Sequence, residues 1–419
     1  MARIPVESAT ATEIVVEGKK LIGFGGCNYL GLAHHQDVLD AVRKGIEKYG
    51  LSTTASRETT GDTMSHELLE AELADFFQVQ QCLVTPEGYS ANMALGQALA
   101  HDYRVAITDE KCHRSVSHAV AAAGMRVIAY PHLDARAAGA LASQYIGEGV
   151  VILTDGVFAA DGSIAPAKSL FEVLPKERAL LVIDDCHGFC VLGRSGRGTA
   201  DHHGLSASGV PLESRVLITT SLAKGLGCYG GVLAGPSTII QRAQDIASVY
   251  RGTTPAPPAI IEGARQALKV LNRDPILMQR LRVNADRLRR GFQKLGISLY
   301  PTPAPIFTFV TGDTASMDRI HRKLIDAGYL APLIAYPGGP TDRYFRVTVN
   351  AVHTSEQIDG LIAAFADAID SEPKAKSEGA AEPKPLKFPE GQSGGRELIG
   401  PWDLSLTPMM NPRLPALPG

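Results

Sequence analysis

Leu181-Val-Ile-Asp184-Asp185-Cys-His187-Gly188, followed by Thr220-Ser221-Leu-Ala-Lys224-Gly-Leu-Gly227, is the pair of stretches on which the fold turns. In each, an apolar run ends in chemistry: an acid and an imidazole in the first, a lysine framed by small residues in the second. A lysine can form a Schiff base with an aldehyde, and a carboxylate can pair with a pyridine nitrogen and keep it protonated. Together they are what a protein needs to hold pyridoxal 5'-phosphate. The protonated ring is an electron sink, so the two residues are useful only jointly. Standing alone, Asp184 or Asp185 would be a loop-capping acid and Lys224 a surface lysine. Gly225, Gly227, Gly230 and Gly231 argue against the surface reading, because they let backbone approach a ligand closely.

Working outward, apolar strand-like runs alternate with helical ones from Leu83 to Ala234. Cys82-Leu-Val-Thr, Arg104-Val-Ala-Ile-Thr, Arg126-Val-Ile-Ala-Tyr, Val150-Val-Ile-Leu-Thr, Ala179-Leu-Leu-Val-Ile-Asp, Val216-Leu-Ile-Thr-Thr and Gly231-Val-Leu-Ala-Gly read as strands. Unbroken Val, Ile and Leu runs, instead of strict alternation, mean strands covered on both faces. The fold class is therefore α/β: a mainly parallel central sheet with helices on both faces, whose ligands sit beyond the carboxyl ends of the strands. Gly225-Leu-Gly227-Cys-Tyr-Gly230 matches G-x-G-x-x-G, but a dinucleotide loop must open a helix, and these glycines lead into a strand. Cys186, His187, Cys190, His202 and His203 lie near one another without zinc-like spacing or a second matching pair, so no metal is expected.

Ahead of the sheet, residues 13 to 24 read as a hairpin turning at Glu17-Gly18-Lys19-Lys20, with helical patterning from Gln36. After Pro257-Pro258 come helical stretches at 259–270 and 276–295. An α+β unit follows, with strands at Pro305-Ile-Phe-Thr-Phe-Val and Tyr344-Phe-Arg346-Val-Thr-Val and helices at 316–327 and 355–369; Thr354 and Gln357 form a capping box. The expected organisation is an N-terminal segment over 1–40, a large cofactor-binding domain over 41–258, a small C-terminal α+β domain over 259–370, and a tail over 371–419. That tail holds nine of the 26 prolines and reads as extended, with its Ile399, Trp402, Leu404, Leu406, Met409 and Met410 apolar enough to dock. Forty-one basic against 44 acidic residues, scattered along the chain, give a net charge of -3 and predict neither a nucleic-acid nor a membrane partner. The six cysteines form no disulfide-like framework, and there is no signal-like segment or apolar run near twenty residues, so a cytoplasmic enzyme is expected.

Several motifs recur in order: Asn28-Tyr-Leu-Gly-Leu, Ser56-Arg57-Glu-Thr-Thr-Gly61, His66-Glu-Leu-Leu-Glu70, Glu87-Gly88-Tyr89-Ser-Ala-Asn92, Asp109-Glu-Lys-Cys-His113, Asp155-Gly-Val-Phe-Ala159-Ala-Asp-Gly162, Asp184-Asp-Cys-His187-Gly, Gly193-Arg-Ser-Gly196-Arg-Gly198 and Lys224. On these, the chain resembles the α-oxoamine synthase family of fold-type I pyridoxal-phosphate enzymes over roughly residues 13 to 370. The resemblance implies that Lys224 is the Schiff-base lysine and the base for the α-proton, that Asp184 pairs with the ring nitrogen, and that His187 bonds the ring hydroxyl. By the same resemblance His113 stacks on the ring, Gly88 and Tyr89 offer free helix N–H groups to the phosphate, and Ser221 adds a hydroxyl. It also implies that Thr253 and Thr254 reach a partner's phosphate in a homodimer with shared sites, and that Arg346 takes the substrate carboxylate, with Cys27 and Asn28 beside the substrate.

The chain departs from that family around the substrate. Cys27 stands where an asparagine is usual, Ala159 where a serine touches the ring hydroxyl, and Glu87 where the phosphate loop has a small residue; most of the family's N-terminal helix also has no counterpart ahead of Glu13. The leading expectation is decarboxylative condensation of an amino acid with an acyl thioester such as an acyl-CoA through a quinonoid carbanion. The alternatives are another pyridoxal-phosphate reaction on the same scaffold (racemase, aminotransferase, or carbon–carbon bond formation with an unusual electrophile) and, from a different class, a catalytically silent scaffold.

Overall fold

The computed structural model describes residues 5–206, 212, 214–336 and 339–373; the apolar segment of the tail expected to dock lies outside them. The chain starts with β1 (Ser8–Ala9), β2 (Glu13–Val16) and β3 (Lys19–Gly23), then α1 (Gln36–Tyr49) and α2 (Met64–Phe77). The hairpin turn is tighter than the four residues expected from sequence. Val16 pairs with Lys19, and only Glu17 and Gly18 lie between, at φ 50° and 70°. Two successive positive φ values match the right-handed strand twist, which is why a glycine sits there.

The large sheet is built from β4 (Gln81–Thr85), β5 (Val105–Asp109), β6 (Arg126–Tyr130), β7 (Val150–Asp155), β8 (Ala179–Asp184), β9 (Val216–Ser221) and β10 (Gly231–Gly235). Its spatial order is β4-β10-β9-β8-β7-β5-β6, and β10 alone runs antiparallel to its neighbours. Between the strands lie α3 (Gly88–Leu99), α4 (Arg114–Ala122), α5 (Ala135–Tyr145), α6 (Ala167–Glu172) and α7 (Thr199–His202), with α8 (Ser237–Ile246) after β10. Alternate residues of each strand feed different cores. Leu83, Ala106, Val151 and Leu217 pack with α3, α4 and α8 on one face, and Val84, Ile107, Ile152 and Ile218 pack with α2, α5 and α9 (Pro258–Arg273) on the other. This two-sided burial is what the unbroken apolar runs encode. After β4, at one edge, the chain crosses under the sheet through α3 and resumes at β5 on the far side. The start of α3 is thereby aimed at the carboxyl ends of the central strands.

The remaining elements are α10 (Ile276–Lys294), β11 (Ile306–Phe309), α11 (Thr314–Asp326), β12 (Tyr329–Leu330), β13 (Leu333–Ile334), β14 (Tyr344–Thr348) and α12 (Ser355–Asp370), the last opened by the Thr354–Gln357 capping box. An antiparallel sheet β11-β14-β13 and its helices enclose an aromatic core in which Phe292 lies 5.0 Å from Phe309 and 5.3 Å from Phe365. The N-terminal hairpin joins this unit: β3 pairs with β12, and Phe24 is fully buried in the same core. Among the described residues, no helix is long and apolar enough to cross a membrane.

Candidate active site

Three adjacent strands of the large sheet deliver polar side chains at their carboxyl ends. Asp155 ends β7 and is in register with Asp184 at the end of β8, which is in register with Thr219 on β9, two residues before Ser221. Beyond them lies a cavity of about 280 Å³ lined by Glu87, Gly88, Tyr89, His113, Ser115, Asp155, Val157, Ala159, Asp184, Cys186, His187, Ser221, Ala223 and Lys224. The structure therefore gathers seven of the residues singled out in sequence: Gly88, Tyr89, His113, Asp184, His187, Ser221 and Lys224.

The two adjacent acids part company here. Asp184 faces the cavity, where Oδ2 accepts from Asn92 Nδ2 at 2.7 Å and Oδ1 from the Cys186 N–H at 3.2 Å. Asp185 faces the opposite way and accepts from the Thr199 N–H and hydroxyl at 2.6 and 2.7 Å. Gly156, Gly188 and Gly198 leave room for that carboxylate; a Cβ at any of them would come within 2.2 Å of an Asp185 oxygen. Burial pushes Asp185 up to about 7, against the two bonds from Thr199.

Asn92 also accepts from Thr219 Oγ1 at 2.6 Å and donates to Ser115 Oγ at 2.9 Å, and Ser115 in turn bonds His113 Nδ1 at 2.7 Å. The His113 N–H is held by both oxygens of Asp155 at 3.1 Å. A continuous polar chain thus fixes the orientation of Asp184 relative to His113. Sequence reasoning quoted Asn92 and Asp155 without assigning them a task and passed over Ser115; Asn92 and Asp155 find their partners 23 or more positions away. Burial drives His113 down, so its imidazole is neutral, and burial drives Asp155 up, with Asp184 beside it adding to the shift.

Around Lys224, burial disfavours charge, but Cys186, Asp184, Cys27 and Asp155 favour it and prevail, so its pKa is raised. His187 is pushed far down by burial, with Lys224 and Arg346 adding to the effect. Its Nδ1 shares a 2.8 Å hydrogen bond with the hydroxyl of Tyr29. Tyr29, inside the Asn28-Tyr-Leu-Gly-Leu motif, is a functional candidate that sequence reasoning missed.

The substrate-side candidates lie next to this cluster. Arg346, on β14, donates from Nε to the Ala159 carbonyl at 2.8 Å. Burial opposes its charge while Tyr29 and Cys27 nearby support it, with a raised pKa as the result. Cys27 is therefore beside both Arg346 and Lys224. Asn28 instead serves its own loop, accepting from the Ala33 N–H at 3.2 Å, and its Oδ1 would lie 3.0 Å from a Cβ at Gly227. Thr253 and Thr254 are not brought to the cavity of their own chain: Thr253 Oγ1 donates to the Tyr250 carbonyl at 2.9 Å, and Thr254 is exposed.

At the start of α3 the geometry differs from the expected free N–H groups. The Glu87 carboxylate accepts from the Tyr89 and Ser90 N–H groups, each at 2.6 Å, while Ser90 Oγ accepts from the Glu87 N–H at 3.1 Å. An acid at the N-cap satisfies orphan donors and complements the helix dipole, so the chain itself supplies the anion there. The Tyr89 ring turns outward, its hydroxyl 2.7 Å from His118 Nδ1.

The donor set suits pyridoxal phosphate. A half-buried lysine and a carboxylate oriented by Asn92 flank the cavity. A helix start and the Ser221 hydroxyl close one end of it. Gly88 lies so near the opposite wall that a Cβ there would be 3.2 Å from Ser221 Cβ and 3.5 Å from Cys186 Sγ.

Comparison with known proteins places the same arrangement in context. Residues 19–365 match the family "Aminotransferase class I and II". The chain is 38% identical to an 8-amino-7-oxononanoate synthase from Methylococcus capsulatus over 88% of this chain and 94% of that one. It is 35% identical to one from Thioalkalivibrio sulfidiphilus, over 87% and 92%. Among solved structures it superposes on a serine palmitoyltransferase from S. paucimobilis with bound PLP–myriocin, at a TM-score of 0.81 and 24% identity, covering 87% of this chain and 92% of that one.

Proposed function

Because the chain belongs to the aminotransferase class I and II family, as an α-oxoamine synthase-like transferase that uses pyridoxal 5'-phosphate, we propose that it joins an amino acid to an acyl thioester with loss of carbon dioxide. The observation that carries the reading is the meeting of Lys224 and Asp184 in one cavity, in a chain 38% identical to an 8-amino-7-oxononanoate synthase.

The relatives' product suggests the substrates. An amino group on carbon 8 beside a ketone on carbon 7 of a nine-carbon acid divides between those carbons. Carbons 8 and 9 are what remains of alanine after decarboxylation, and the other seven carbons arrive as an acyl group ending in a carboxylate. We take alanine and a seven-carbon dicarboxylic monothioester as the first pair to try.

Bound pyridoxal phosphate supplies an electron sink for the amino acid's α-carbon. Lys224 would hold the cofactor through Nζ, and the same amine would serve as the base that takes the α-proton and returns one. Asp184, fixed by Asn92, holds a proton on the ring nitrogen. Neutral His113 would lie against the ring, and His187, its imidazole held by Tyr29, would meet the ring hydroxyl. Arg346 keeps its Nε on the Ala159 carbonyl and directs its remaining N–H groups to the amino acid's carboxylate. Cys27 beside it gives the amino acid a different contact from the asparagine of the family, which is the observation favouring a different amino acid or electrophile. A homodimer with Thr253 and Thr254 reaching the second site completes the reading.

Holoenzyme incubated with a panel of amino acids and acyl-CoAs, alanine with the seven-carbon dicarboxylic thioester first, is expected to release free thiol and carbon dioxide in equal amounts. Exchange of the amino acid's α-hydrogen with solvent deuterium without thiol release across the panel would favour the alternative reaction. Neither exchange nor release would refute both.

A further inference from the structure

One charged group at the cavity has neither a role in the proposed reaction nor, like Asp155, a bond to a residue that has one. Glu87 is half-buried, lines the cavity, and places both carboxylate oxygens on the first N–H groups of α3. Its backbone is fixed from three sides: Ser90 Oγ donates to its carbonyl at 2.7 Å, Thr85 Oγ1 donates to the same carbonyl at 3.0 Å, and its N–H is held by Ser90. The side chain can rotate away, but the residue stays where it is. The Tyr89 N–H is one of the two read as the phosphate's donors, and this helix start faces Ser221 across a gap in which a Cβ at Gly88 would lie 3.2 Å from Ser221 Cβ, the end of the cavity suited to a phosphate.

We propose that Glu87 is a built-in competitor for the cofactor's phosphate and thereby a determinant of which form of the cofactor this chain holds. This rests on the cofactor site assigned above. Of the Gly88 and Tyr89 N–H groups read as the phosphate's donors, Glu87 already holds that of Tyr89, and a carboxylate and a phosphate cannot both accept from it. Loading must displace Glu87, which forfeits two charge-assisted hydrogen bonds and leaves two anions a few ångströms apart. A cofactor without the phosphate can enter with Glu87 still in place. The chain should therefore discriminate weakly between pyridoxal phosphate and pyridoxal, and removing the carboxylate should restore discrimination.

The test titrates apo-protein with pyridoxal phosphate and with pyridoxal, following cofactor absorbance, in wild type, Glu87→Ser and Glu87→Gln. Serine keeps an N-cap acceptor for the helix; glutamine keeps the length and removes the charge, and carries the test if the serine variant fails to fold. The ratio of the two dissociation constants is expected to move about tenfold in favour of the phosphate form in E87S, with pyridoxal affinity nearly unchanged, and in the same direction in E87Q. A purely structural cap would weaken both ligands alike. A shift of the ratio below about threefold, or toward pyridoxal, overturns the proposal. If neither ligand binds wild type in a Lys224-dependent way, the cofactor site itself is wrong and both readings fall.

Discussion

Asp184 and Asp185 have the same side chain and opposite surroundings, so one substitution made at each position separates chemistry from stability. Asp184→Asn keeps an acceptor for Asn92 but removes the charge that would hold a proton on the ring nitrogen. It is expected to lower kcat by about 10² or more while leaving the unfolding midpoint nearly unchanged. Asp185→Asn sets an amide donor against one of the two Thr199 donors in a fully buried pocket. It should cost about 1–3 kcal/mol in urea unfolding at pH 8. Lys224→Ala is expected to reduce thiol release more than ~10³-fold, and borohydride treatment followed by mass spectrometry should find cofactor mass on wild type only. The acid with the chemical task could not be chosen from the sequence on local grounds. Asp184 is distinguished by Asn92 and Asp185 by Thr199, and the first of these partners is 92 positions away. Tyr29 escaped for the same reason, because its contact with His187 spans 158 positions.

At the scale of elements, the strands of the large sheet were legible because burial on both faces leaves an apolar signature in the chain itself. The two-residue strands β1, β12 and β13 were not, since each is defined by a partner: Tyr329 and Leu330 are a strand only beside Ile22 and Gly23. The clasp holding that hairpin to the small unit is His353. Its ring stacks 4.3 Å from Phe24, its Nδ1 accepts from the Asn350 N–H at 3.0 Å, and its Nε2 lies 3.1 Å from the Gly23 carbonyl. Burial pushes its pKa from 6.5 to about 4. The fold therefore prefers the neutral ring. The contribution is fully present above pH 6.5 and is lost as pH falls toward 4, for a total of ~3 kcal/mol at most. His353→Gln offers the same acceptor and donor without titrating. The urea midpoint of wild type should fall relative to that of H353Q between pH 7 and pH 4.5, and parallel curves would remove His353 from the account.

For the whole molecule, the mainly parallel sheet with helices on both faces and the strand-end position of the cavity follow from the alternation of strands and helices that the sequence displays, whereas the strand order and the aromatic core of the small unit rest on pairings distant in the chain. What the chain alone does not bring together is Thr253 and Thr254 with the cavity. A second copy supplying them predicts a dimer in sedimentation equilibrium. It also predicts complementation: mixing inactive Lys224→Ala with a Thr253→Ala/Thr254→Ala double variant should recover part of the activity if the sites are shared. A monomer with full activity would contradict the shared-site reading.

The strut between Arg346 and residue 159 is made by a main-chain carbonyl. Changes of side chain at 159 therefore leave the guanidinium tethered, while altering what the cavity wall presents to the reacting molecule. If Arg346 takes the substrate carboxylate as proposed, position 159 is a dial that a saturation library can turn, changing reaction preference while that arginine stays tethered.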